Sequence, residues 1–280
     1  MGCLTITERQ AERLAVKNRT RWSPYLEKCC LLLSANESYQ RAEEDIKVLT
    51  GMEIPHSTQQ RMVHRQTFEL SQVEQEVEEI SIDGGKVRLR TPKGKPCQWR
   101  DYKAVNLHDS VVEAFFQDNE SLINWVNQQQ SSNPLTCLGD GHCGIWNIFA
   151  QIGNKCQRQE ILDWYHLVEN LGKVGGSNQR LDRVETLLWR GKIDDAIHEF
   201  ADWKHESVDK FINYLNEHRE RIVNYDYFQS EGISIGSGAI ESSIKQIGRR
   251  VKISGAQWNS NNISQVLRHR CAYLNGNFSA

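Results

Sequence analysis

Three carboxylates in this chain stand where chemistry on a phosphate could use them. Asp83 falls in Glu79–Arg90 (EISIDGGKVRLR), Asp140 in Pro134–His142 (PLTCLGDGH) and Glu241 in Gly232–Trp258 (GISIGSGAIESSIKQIGRRVKISGAQW). Each has an ordinary explanation: Asp-Gly-Gly makes a hairpin turn, Gly-Asp-Gly caps a helix, and an acid in a helix's first turn suits the helix dipole and a Lys four residues on. Together they suggest more. Acids at the ends of adjacent strands point into one crevice of an α/β sheet, and a third acid from a neighbouring helix would complete a cluster that needs cations to stay charged. Hard oxygen ligands suit Mg²⁺ or Mn²⁺. Two such ions can activate a nucleophile and stabilise the leaving oxygen of an in-line phosphoryl displacement.

The elements that must position these acids are legible as patterns. Ile80 and Ile82 alternate with Ser81 and Asp83, and Gly84-Gly85 then leads to Val87 and Leu89, which predicts a β-hairpin with Asp83 ending its first strand. Tyr102–Leu107 predicts a third strand; Ser110–Phe116 and Glu120–Asn127 predict helices. Pro134–Leu138 reads as a strand running through Gly139-Asp140-Gly141-His142 into a helix that carries Ile145, Trp146, Ile148, Phe149 and Ile152. Glu160–Leu171 begins as a strand and turns helical by about His166.

In the last run Ile240, Ile244, Ile247 and Val251 recur at helical spacing, while Glu241, Lys245, Arg249 and Lys252 share the adjacent face. The expected fold is therefore α/β: a mixed sheet flanked by helices, assembled from residues 76–171 and 232–280, with an all-helical insertion over 172–231. Ahead of it, residues 1–75 read as helical. A helix stops at Gly51, and Ser57-Thr58-Gln59-Gln60 has capping-box spacing for the next, a helix-turn-helix pattern whose second helix can enter a major groove.

Charge points to an anionic partner. After Glu241 there are six Lys or Arg and no Asp or Glu, so with an overall net charge of −2 the preceding residues carry −8. A basic end on a mildly acidic body suits nucleic acid. Lys245, Arg249, Arg250 and Lys252 would hold the phosphodiester backbone. Hydrophobic content of 39% and charged content of 25% are those of an ordinary globular chain. The longest apolar runs, such as Cys29–Leu33, are too short to span a bilayer, and no signal-peptide layout is present, so a cytosolic protein is expected. Eight cysteines without a C-x-x-C pair or paired-histidine spacing argue against structural zinc and for reduced thiols.

Four blocks carry a family resemblance: SIDGGKVRLRT (81–91), GDGHCGIWNIF (139–149), DWYH (163–166) and the 232–258 run. In this order they closely resemble bacterial insertion-sequence transposases of the ISKra type. These are DDE enzymes with a ribonuclease H-like catalytic core, distantly similar to Mutator-type transposases. The likeness extends from about Trp22 to Asn275. It implies that Asp83, Asp140 and Glu241 are the catalytic, metal-binding triad, served by Mg²⁺ or Mn²⁺, and that residues 172–231 are the insertion between the second Asp and the Glu. It further implies that Asp163 and His166, matching a D-x-x-H motif, help to handle DNA strand ends.

The activity so implied is metal-dependent strand cleavage and strand transfer in DNA transposition, with terminal inverted repeats and target DNA as partners, by a homo-oligomer in the nucleoid. Two other readings stand beside it: a DNA-binding protein without chemistry, and a nuclease of the same fold that cleaves without joining.

Overall fold

The computed structural model describes residues 6–13 and 22–278. The chain divides into two compact units, one of residues 70–87 and 99–246, the other of residues up to Glu69 with Arg88–Gln98 and Ile247 onward.

The larger unit is built on a five-stranded mixed sheet. Its strands are β1 (Val77–Leu89), β2 (Gln98–Leu107), β3 (Val111–Phe116), β4 (Ser131–Gly139) and β5 (Arg158–Leu162), in the order β3-β2-β1-β4-β5. β4 runs parallel to both β1 and β5, while β2 and β3 are antiparallel. Helices flank the sheet, giving an α/β fold. Its core includes Ile80, Ile82, Val105, Leu138, Phe149 and Leu162.

Two local expectations fail here. Asp83-Gly84-Gly85 does not turn: β1 is one continuous strand through all three residues, and neither glycine has a positive φ. The reason is a tertiary contact. A Cβ on Gly85 would lie 2.2 Å from the ring of Tyr102, so the glycine exists to admit that fully buried ring. The chain instead reverses beyond the strand, at Pro92–Lys95. Asp83 is accordingly mid-strand, not at a strand end.

The second failure is Ser110–Phe116, expected as helix and found as β3. His108 and Asp109, with φ of 53° and 54°, form a tight turn of the mirror-image kind that returns the chain antiparallel to β2. Val111, Val112, Phe115 and Phe116 then have the branched and aromatic side chains that sheets prefer.

The remaining elements follow expectation closely. α5 covers Asn119–Asn127, α6 Cys143–Phe149 and α7 Trp164–Gly172. The insertion carries four α-helices and a short 3-10 turn, with no strand among the described residues: α8 (Asn178–Trp189), α9 (Ile193–His198), α10 (Glu206–Glu217) and α11 (Tyr225–Ser230). The acid-bearing helix is α12 (Gly238–Val251). Ile240, Ile247 and Val251 on it are buried and Ile244 half-buried, as their spacing requires.

The smaller unit packs α2 (Pro24–Ser34), α3 (Tyr39–Thr50) and α4 (His56–Arg65), preceded by the short α1 (Glu8–Arg13), around Leu26, Cys30, Leu31, Ile46, Met62 and Val63. α3 ends at Gly51 in the left-handed conformation (φ 69°). The expected capping box is not used: α4 begins two residues earlier, after Pro55, with no side-chain cap, and Gln59 is buried and donates to the Ile54 carbonyl. A last helix, α13 (Ser260–Leu274), completes the unit.

Two arginines and a histidine from the C-terminal part close the end of α2, and burial keeps the His269 imidazole neutral by lowering it to about 3. Arg250 Nε donates to the Ser34 carbonyl at 2.6 Å, the His269 ring lies 3.0 Å from the Leu31 carbonyl, and Arg270 donates to the Ala35 carbonyl. The Leu31 carbonyl also accepts from the Ala35 amide, whereas the Ser34 and Ala35 carbonyls lie at the helix end, where the positive charge of the two guanidinium groups is favourable. No helix of the described residues is long and apolar enough to cross a membrane.

Candidate active site

The sheet register brings the acids to one level. Ile82 of β1 pairs with Gly139 of β4, and Gly139 pairs with Leu162 of β5. The next residues, Asp83, Asp140 and Asp163, therefore lie side by side across three parallel neighbours. Burial raises the Asp83 carboxyl above the usual carboxylate range, the Gly84 amide donating to it pulls the other way, and the negative charge of Asp140 adds to the rise. Asp140 accepts a hydrogen bond from the His142 amide at 2.9 Å, which folds the Gly-Asp-Gly turn, and His142 then caps α6.

Asp163 is wholly buried. It caps α7, accepting from the His166 amide at 2.8 Å on one oxygen. Its other oxygen accepts from both the amide and the hydroxyl of Ser237. Burial would raise its carboxyl, but the bonds from His166 and Ser237 outweigh it and hold it below the usual range. Every lone-pair direction that matters is thus spent on structure. The Trp164 amide also donates to the Ile235 carbonyl at 2.9 Å, so residues 163–164 and 235–237 run as one clamped pair of segments. A Cβ on Gly236 would come within 2.6 Å of the Tyr165 ring, so only glycine passes there. Four residues after Ser237, Glu241 donates its amide to the Ser237 carbonyl. Asp163 is therefore the residue that positions the first turn of α12 and with it Glu241.

His166 stands among the acids. Its Nδ1 lies 3.2 Å from Asp163 and 4.0 Å from Glu241. The hydrogen bond to Asp163, opposed by burial and reinforced by the charges of Asp163, Asp140 and Glu241, raises the imidazole to about 9. Asp83 feels the same charge. At neutral pH His166 is thus an imidazolium surrounded by four carboxylates. Among the described residues one group brings three possible ligand atoms within 4.8 Å of one another, and it is Asp163, His166 and Glu241. The expected trio Asp83, Asp140 and Glu241 is wider than that.

Further residues surround the cluster that sequence patterns did not single out. Lys103 of β2 acts electrostatically on Asp83, and its Nζ lies 2.9 Å from where a Gly84 Cβ would be. From the insertion, Tyr214 packs on the Asp140–Gly141 turn so closely that a Gly141 Cβ would meet its ring at 2.4 Å. Burial and the Asp140 charge raise the Tyr214 phenol. His218, held neutral chiefly by burial, reaches the Gly141 backbone. Arg221 ties this part of the insertion to β5 by donating to Glu160 at 2.9 Å. The only sequence signal for these contacts is the glycine pair around Asp140, which marks close approach without naming the partner.

The basic face is only partly as expected. Lys245, Arg249 and Lys252 are exposed on one side of α12, and Lys245 lies 3.6 Å from Glu241. Arg250 is not on that face. It is 1% exposed, because it donates to the Ser34 carbonyl and lies over the rings of Tyr39 and Trp258, each 4.9 Å away. Asn106 of β2 donates to Ser243 at 3.1 Å, which fixes the early turns of α12 beside the sheet.

The chain matches no known protein-family profile and no curated protein.

Proposed function

We propose that the protein is a metal-dependent DNA strand-cleaving and strand-transferring enzyme, a DDE transposase of an insertion sequence with a ribonuclease H-like core. The observation that carries this reading is the convergence of Asp83, Asp140 and Glu241, from β1, β4 and α12, around a single imidazolium. Such a cluster binds positive charge by its nature, and its donors are the hard oxygens that Mg²⁺ and Mn²⁺ prefer. Asp83, Asp140 and Glu241 would hold the metal, since the Asp163 oxygens are already engaged by His166 and Ser237. Two bound divalent ions would supply activation of water or a 3′-hydroxyl and stabilisation of the leaving oxygen.

The chain's own residues do the rest. Asp163 and Ser237 hold Glu241 in register with the strand acids. His166 offsets part of the cluster's negative charge in the absence of metal and would contact a strand end. Lys245, Arg249 and Lys252 offer phosphate contacts along the helix that carries Glu241. α4 offers a second DNA contact, as the latter helix of a helix-turn-helix. The resemblance of the 81–91, 139–149, 163–166 and 232–258 blocks to ISKra-type transposases supports the same reading.

Cleavage and joining of a labelled DNA duplex bearing the element's ends, with and without Mg²⁺, tests it. Wild-type protein is expected to nick and then join in Mg²⁺, and Glu241→Gln to bind DNA while doing neither. Metal-dependent cleavage that survives in Glu241→Gln overturns the assignment. Cleavage without joining identifies a nuclease instead.

A further inference from the structure

The smaller unit contains a cavity of about 440 Å³ formed by the start of α3, one side of α4, Arg90 and the 253–259 loop that precedes α13. We propose that it binds one nucleotide unit, a base with its phosphate. The inference rests on the cavity alone and does not depend on the cleavage reading.

Three features select this chemistry. First, charge: Arg90 and Arg250 both line the cavity, and among the described lining residues there is no Asp or Glu. Glu37 acts on Arg250 from outside the cavity and offsets part of its charge. Arg250 is 1% exposed, and its buried Nη2 has only the Tyr39 hydroxyl to interact with, while Nε2 of His64 is buried without a hydrogen-bond partner. Buried polar atoms met this poorly are costly unless something completes them. An anion beside two guanidinium groups does so, and phosphate is the group that planar guanidinium forks match best.

Second, polarity: carboxamides enter from three elements, Gln60 on α4, Gln257 in the loop and Asn262 on α13. A carboxamide presents a donor and an acceptor side by side, which is the pattern that base edges display. Third, planarity and size: Arg250 lies over the rings of Tyr39 and Trp258, so the wall is a stack of flat groups on which another ring can lie. About 440 Å³ suits one nucleotide and not a dinucleotide. A fatty or purely apolar ligand would leave these polar groups unmet. A bare phosphate would leave the carboxamides idle.

The nucleotide has two possible sources, a nucleotide turned out of a DNA strand or a free one. Calorimetric titration of the full chain with deoxyadenosine monophosphate and with inorganic phosphate examines the second source. For the first, a DNA duplex carrying 2-aminopurine reports base extrusion as a rise in emission on binding. Arg90→Ala and Asn262→Ala are the variants, from separate elements, each checked for an unchanged melting temperature. Arg90 keeps its backbone bond to Trp258 in the first of these.

The proposal expects at least a tenfold loss, in one arm or the other, from both substitutions. A loss in the calorimetric arm identifies a free nucleotide; a loss confined to the 2-aminopurine signal identifies a nucleotide within DNA. It is overturned if both variants behave as wild type in both arms, or if inorganic phosphate binds as tightly as the nucleotide. Either failure leaves the metal-dependent cleavage reading standing, because no cleavage is measured.

Discussion

Replacing His166 with Gln removes the cation that interacts with all of Asp83, Asp140, Asp163 and Glu241, leaving Lys103 beside Asp83 and Lys245 beside Glu241. Its imidazole is raised from an ordinary 6.5 to about 9. A group whose folded value lies above its unfolded value stabilises the protein fully below the unfolded value and ceases to do so as pH rises through the folded one. The stabilisation from His166 is therefore complete below about pH 6.5 and lost by about pH 9. At about 1.4 kcal/mol per unit, a gap of this size is worth about 3 kcal/mol. The side chain is 31% exposed, so solvent screening reduces this to about 1–2 kcal/mol. The assay is urea denaturation of wild type and His166→Gln at pH 6.5 and pH 9.5. Taking the difference between the two proteins cancels the Cys, Lys and Tyr residues that titrate in both. Wild type should lose about 1–2 kcal/mol more than the variant over this interval. Parallel losses in the two proteins would refute the account of His166 as a resident counter-ion.

Three other perturbations follow from contacts already described. Gly85→Ala pushes a methyl into the Tyr102 ring and should cost about 1–3 kcal/mol by urea denaturation; a neutral result would mean that β1 is not held against Tyr102. Ser237→Ala removes one donor from the buried Asp163 carboxylate and should cost about 1.5–3 kcal/mol at neutral pH. Its deficit should shrink as Asp163 is protonated in acid, because a carboxylate held below its ordinary value stabilises fully above that ordinary value and ceases to do so as pH falls through its own lower one. Changing Lys245, Arg249 and Lys252 together to Gln should weaken DNA binding and flatten its salt dependence by about 2–3 in slope, whereas an unchanged slope would remove α12 from the DNA contact.

The local elements that carry Asp140 and Glu241 are more legible in the sequence than the sheet around them. Asp140 and Glu241 were placed on the right kinds of element because their signals are local: an apolar strand running into Gly-Asp-Gly, and apolar residues at helical spacing beginning just after Ser237. Asp83 lies inside a strand that its own Asp-Gly-Gly run disguises as a turn. Asp-Gly-Gly obeys turn chemistry in isolation, and only the Tyr102 ring, from a strand still to come, makes it extended. β3 was misread for a related reason, since its six residues, VVEAFF, are too few to separate helical from strand spacing and its pairing with β2 decides.

Arg250 stands among exposed neighbours in the sequence, and spacing does not say what lies opposite: the Ser34 carbonyl that claims it is more than 200 residues away in the chain. The clamp from Asp163 to Ser237 is equally long-range, so a D-x-x-H motif could suggest importance without giving Asp163 its positioning role.

The central claim is that the acid cluster is a divalent-metal site, and direct metal binding tests it most plainly. Titration of the full chain with Mn²⁺ at pH 7, followed by electron paramagnetic resonance, counts bound ions without depending on a DNA substrate. The account predicts up to two bound Mn²⁺ per chain. At least one should be lost in each of Asp83→Asn, Asp140→Asn and Glu241→Gln, with Mg²⁺ competing for the same positions. Binding that is absent in wild type, or unchanged in all three variants, would contradict it.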